Sequence, residues 1–247
     1  VAFDRFAPDE DFVFFVQKNP AAKEGAGLAA AEHHLEWMLE ARAQYLKEVV
    51  EPCGLERSRG GAPHVVFLLT SSGDYRNFLN TLYQSCPSYL GAAYDPFLAA
   101  TVTFQQAFGA KRSVKLKRRD QHHAFIHSLQ QAYGKSGSRL PGPEWLNEGQ
   151  AVSLSSPELP SKVVSSLVEA EQAGGRSKGG IRSVQGLMAS VRRADFRKSI
   201  HADDQTQYWS HVGQLSWECG ALVHFLGNTG DDKRRAMLRR FTAEAMK

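Results

Sequence analysis

The order of elements along this chain predicts an α+β fold. Two runs with strand character, 11–17 and 65–69, fall in the first third. A strand–turn–strand signal surrounds Pro96, and from Pro157 onward no alternating apolar pattern occurs. Strands early and helices late place the sheet in the N-terminal half and leave the C-terminal half helical. A chain of 247 residues is long enough for one large domain or two small ones with a buried core. We expect 1–156 to carry the sheet and the helices of the site, and 157–247 to be a helical part packing on the same unit.

Each element has its own signal. Asp11 to Gln17 is rich in Phe and Val and reads as a strand. From Gly25 to Val50 a helical pattern runs through Leu28, Leu35, Met38, Leu39, Ala43, Leu46 and Val50, one buried stripe that Pro52 and Gly54 stop. Val65 to Leu69 is short, apolar and β-branched enough to lie inside a sheet. The turn Ser71–Asp74 offers Ser72 or Asp74 as a cap for a helix over 75–83. Strand-like pieces at 91–94 and 99–104 flank Pro96 as a hairpin would. A helix over 117–133 ends before the Gly- and Pro-rich stretch 134–143, and another begins at Glu144 and runs to Leu154. Further helices are expected over 161–172 and 184–191, separated by the glycine-rich loop 174–180. Two more are expected over 208–227 and 232–246.

Composition narrows the function classes. Hydrophobic residues make up 42% and charged residues 23%, as in an ordinary globular protein. No apolar run is long enough to span a bilayer. The net charge is +4, concentrated in 111–119 and 233–240, which read as solvated helix faces. A nucleic-acid reader needs a wider basic surface or a recognisable module, and neither is present. Cys53, Cys86 and Cys219 are odd in number and far apart, which fits buried free thiols better than a disulfide framework or a metal pair.

The chemistry sits in His122-His123-Ala124-Phe125-Ile126-His127, followed about twenty residues on by Trp145-Leu146-Asn147-Glu148-Gly149. Successive helical residues rotate by about 100°, so His123 and His127 share a face while His122 points away. Two imidazoles side by side with a carboxylate from the next helix form a donor set that zinc favours, with a fourth position left open for water. Asp120, one turn before His123, is placed to orient a histidine.

These segments resemble the gluzincins, the thermolysin-like zinc metallopeptidases, and most closely the bacterial peptidase-MA-like proteins. In those proteins a HExxH helix is followed by a proline and then W-L-N-E-G and a small residue. Pro143 to Ala151 matches that second segment closely. The likeness spans roughly 11–230, but only the two histidine–glutamate segments are sharp. It implies a zincin-like domain with Zn2+ held by His123, His127 and Glu148, and hydrolysis of peptide bonds by zinc-activated water. It also implies an edge hairpin at Gly91, Ala92, Ala93 and Tyr94 beside which an extended peptide or protein substrate pairs. Similar bacterial proteins are often exported, so the resemblance points to an extracytoplasmic setting.

The chain departs from the pattern at one position. Ala124 stands where the family has the glutamate that takes a proton from the zinc-bound water and passes it to the leaving amine. Such a chain is expected to bind zinc and peptide yet cleave poorly or not at all. A substitution that inactivates an enzyme and a natural pseudopeptidase serving as a zinc-containing peptide-binding module both account for it. Glu144, Asp120 and Glu218 are the possible substitute bases. Tyr94, Tyr208 and His211 are candidates to face the developing oxyanion, with His224 nearby on the same late helix. His33, His34, His64 and His201 have no spacing partner and read as structural or exposed. The oligomeric state is not encoded in any of these signals.

Overall fold

In the computed structural model, residues 2–57, 63–83, 91–105, 111–134, 140–156, 205–228 and 230–247 are described. They group into two compact units, Val1–Pro141 and Gly142–Lys247.

The first unit is built on a five-stranded mixed sheet of order β1-β2-β3-β5-β4. Its strands are β1 (Phe3–Phe6), β2 (Phe12–Gln17), β3 (His64–Leu69), β4 (Ala92–Asp95) and β5 (Ala100–Phe104). β2, β3 and β5 run parallel, with Phe14 opposite Val66 and Phe67 opposite Val102. β1 and β4 close the two sides antiparallel to their neighbours. The α+β class, the two early strands and the hairpin around Pro96 are therefore all present. β1 adds a strand that the pattern Phe3-Asp4-Arg5-Phe6 is too short to announce.

Alternation along the strands decides which helix covers which face. Phe12 and Phe14 of β2 are fully buried, and the Phe12 ring lies 5.6 Å from Phe125 of α4 (Lys111–Tyr133). Phe67 of β3 points the other way, meeting Phe15, Phe3 and Phe78 of α3 (Ser72–Tyr83). Tyr75 and Leu79 of α3 complete that second core with Leu69 and Val102. Each such buried aromatic contributes roughly 1.5–3 kcal/mol of transfer free energy. The sheet is thus covered on both faces, and α4 packs against β4 and β5.

Three local details differ from the sequence expectation. α1 (Ala26–Tyr45) continues through a π-type turn (Leu46–Val50) and past Pro52 in a last short turn, α2 (Glu51–Cys53), to the expected stop at Gly54, whose φ of 59° is the left-handed conformation that glycine adopts freely. The buried stripe of α1 and its continuation keeps Met38 and Val50 of the expected set but not its leucines. Leu28 and Leu39 are 45% and 42% exposed, whereas Ala31, His34, Met38, Ala41 and Tyr45 are buried. Small alanines let α1 approach α4, and His34 is tolerated there because its Nδ1 meets Gln121 Oε1 at 2.6 Å. α3 is capped by Ser71 rather than by Ser72 or Asp74. The Ser71 hydroxyl accepts the Asp74 N–H at 3.1 Å and donates to the Asp74 carboxylate at 2.6 Å.

The second unit consists, in its described part, of α5 (Glu144–Ser155), α6 (Gln205–Asn228) and α7 (Asp232–Ala245). On α6 the expected stripe residues Cys219, Leu222, Val223 and Leu226 are buried. α7 starts at Asp231, whose carboxylate accepts the N–H groups of Lys233 and Arg234. The helices expected over 161–172 and 184–191 and the loop 174–180 lie outside the described residues, as does Cys86. Cys53 and Cys219 are free thiols, the latter buried. No described helix is long and apolar enough to cross a membrane.

Candidate metal centre

α4 carries the histidine pair. One turn apart on the helix, the His123 and His127 rings lie 4.8 Å apart with an interplanar angle of 81°. Their Nε2 atoms are 3.2 Å from each other. Two imidazole nitrogens each about 2.0–2.1 Å from one zinc ion, at an angle of about 103°, are separated by about 3.2 Å. The pair therefore has the spacing that a shared tetrahedral ion requires.

A buried glutamine aims the second ring. Gln130, three residues on and fully buried, places its Oε1 2.8 Å from His127 Nδ1. The amide oxygen accepts, so Nδ1 carries the proton and the Nε2 lone pair is left facing His123. An uncharged partner holds the ring without adding charge. Sequence reasoning missed Gln130. The signal was its spacing of three from His127, which puts both on one helix face.

The other polar groups on α4 do different work. Asp120, expected behind a histidine, instead accepts the Gly91 N–H at 2.9 Å and pairs with Arg119 at 2.9 Å. Tyr94 hydrogen-bonds through its hydroxyl to Gln131 Oε1, and Gln131 Nε2 donates to the Pro96 carbonyl at 3.1 Å. Asp120 and Gln131 thus tie the β4 hairpin to the histidine-bearing helix. The Tyr94 hydroxyl, an oxyanion candidate, is engaged in that tie. His122 points away from the pair as expected; its Nε2 lies 3.9 Å from a carboxylate oxygen of Glu40 on α1. Burial, reinforced by Arg118, pushes its ring down to about 4. His64 and Ser128 pair at 2.8 Å under the sheet, and with His34 they account for two of the histidines read as structural. Ala124 itself is buried at 2% exposure.

In the second unit, α5 presents Glu148. Leu146 is fully buried, while Trp145 is only half-buried and stacks on Phe241 of α7 at 5.4 Å. Gly149 is where α5 meets α6. A Cβ there would lie 2.5 Å from Val223 Cγ2 and 2.7 Å from the Cys219 carbonyl oxygen, so only glycine allows that approach. The packing brings Ser216 of α6 to Glu148, and the serine hydroxyl donates to Oε2 at 3.0 Å. Of the substitute bases, Glu144 is exposed in the first turn of α5 and Glu218 is buried on α6. His224 contacts Asn228. The side chains of Tyr208 and His211, and His201 altogether, lie outside the described residues.

In comparison with known proteins the chain matches no family model, and no curated protein matches it. The functional reading accordingly rests on the residues themselves.

Proposed function

We propose that this chain is a zincin-like domain of the gluzincin type in which His123, His127 and Glu148 hold one Zn2+. The observation that carries the reading is the Nε2–Nε2 separation of 3.2 Å between two histidines on one helix, with Gln130 fixing the tautomer of His127. Two imidazoles and a carboxylate are the ligand chemistry of catalytic zinc sites such as that of thermolysin.

Bound there, zinc would polarise a scissile carbonyl and lower the pKa of a water toward about 7. The chain's own residues do the rest. β4 is the last strand of the sheet order, so its outer edge offers backbone donors and acceptors to an extended peptide. Ala92, Ala93 and Tyr94 make up most of that edge strand. The hairpin is anchored to α4 through the Asp120–Gly91 and Gln131–Pro96 hydrogen bonds, so an added strand would run along a fixed edge beside the histidine helix. Ala124 holds no proton and moves none. The proposed activity is therefore that of a metallopeptidase scaffold lacking its general base. The same residue supports the second reading, a natural pseudopeptidase that binds zinc and peptide without cleaving.

Metal content tests the reading. Protein prepared without added metal and then dialysed against Zn2+ is expected to hold one equivalent by elemental analysis, and the His123→Ala variant far less. Sub-stoichiometric zinc in both would end the metalloprotein account and leave only an interaction domain.

A further inference from the structure

We infer that Ser216 is a positioning residue for Glu148, and that the third zinc donor is set by a serine on α6 and not by α5 alone. This rests on the zinc reading above. The Ser216 hydroxyl donates to Oε2 of Glu148 at 3.0 Å. A catalytic zinc site with three protein ligands and a water needs a carboxylate that binds through one oxygen. A hydrogen bond to the other oxygen favours that mode over a chelating one.

The distance between the two residues is built in by packing. Gly149 follows Glu148 directly, and Cys219 lies one turn beyond Ser216. Those two partners form the tight α5–α6 approach, with the Cys219 carbonyl against the Gly149 backbone. That close approach lies one residue from the carboxylate and one turn from the serine, which face each other there. Cys219 is fully buried in that contact. Gln130 plays the matching role on His127 in the first unit. Both supports, an amide and a hydroxyl, are uncharged.

Zn2+ affinity measured by competition with a chromophoric chelator tests the inference. Partners of ligand residues are typically worth about 10–100-fold in metal affinity. Ser216→Ala is expected to weaken Zn2+ binding by about that factor. Ser216→Thr, which keeps a hydroxyl at the same atom, is expected to stay within about threefold of the parent. The thermal unfolding of the metal-free Ser216→Ala protein should match the parent, because only the aim of the carboxylate changes. Equal affinity in parent and Ser216→Ala, or equal losses in the alanine and threonine variants, would overturn the role of Ser216 while leaving the zinc site standing. A parent that binds no Zn2+ would overturn both.

Discussion

Ala124→Glu is expected to turn this chain into a working peptidase. Position 124 lies between the two histidines on α4, one residue beyond His123 and three before His127, so on the proposed reading a carboxylate there would reach a zinc-bound water. General acid–base help of that kind is typically worth about 10²–10⁴-fold. Hydrolysis of an unfolded protein substrate at neutral pH should rise by about that factor over the Ala124 protein, with Zn2+ affinity changed little. The substitution enlarges a buried residue, so the variant should also lose some stability, about 1–3 kcal/mol for overpacking. The Zn2+ titration of the variant separates misfolding from inactivity. A variant that binds zinc yet cleaves nothing in a broad peptide library would favour the pseudopeptidase reading.

The second large effect is acid sensitivity centred on His64. Its ring is 6% exposed, packed 5.6 Å from Phe12 and 5.0 Å from Phe125, with Nδ1 on Ser128. Burial, followed by the charges of Arg57 and Arg42 and opposed by Asp11, pushes it down to about 4 from an ordinary 6.5. In the unfolded chain the same ring takes up a proton near pH 6.5. Between pH 6.5 and about 4 the unfolded state therefore binds more protons, and stability falls as pH falls through that window. The full benefit is present above 6.5 and amounts to about 3 kcal/mol. Asp11, ion-paired with Arg42 and Arg57, has its carboxyl held below the usual range, so its own contribution is lost only at lower pH. Urea unfolding of the metal-free protein from pH 7 to pH 4 should show this loss together with a similar one from the buried His122, so His64→Phe should remove about half of the total. A parent whose stability is flat across that range would contradict the buried neutral ring.

How much of this was legible beforehand follows the kind of signal each residue carries. β2 and β3 were visible because their Val and Phe runs are long enough to mark a buried strand. β1 was not, since four residues with two charges look like surface. The face of α1 was read only in part: Met38 and Val50 do pack, but Leu28 and Leu39 mark a stripe more loudly than Ala31, Ala41 and a hydrogen-bonded His34, which are buried in their place. Periodicity alone assigned the direction of His122, since a rotation of about 100° per residue is a property of the backbone. Asp120 was misassigned because spacing on a helix does not show that a loop N–H, Gly91, will reach the same carboxylate. Gln130 and Ser216 went unread because uncharged polar residues carry no ligand signature. Their roles exist only through Gln130's hydrogen bond to His127 and Ser216's to Glu148.

X-ray absorption at the zinc edge of the Zn2+-loaded Ala124 protein tests the central claim most directly. Two imidazole nitrogens at about 2.0–2.1 Å and oxygen donors at about 2.0–2.2 Å are expected, with one imidazole lost in His127→Ala and an altered oxygen shell in Glu148→Ala. A zinc environment made only of oxygen, or one unchanged by either substitution, would contradict it.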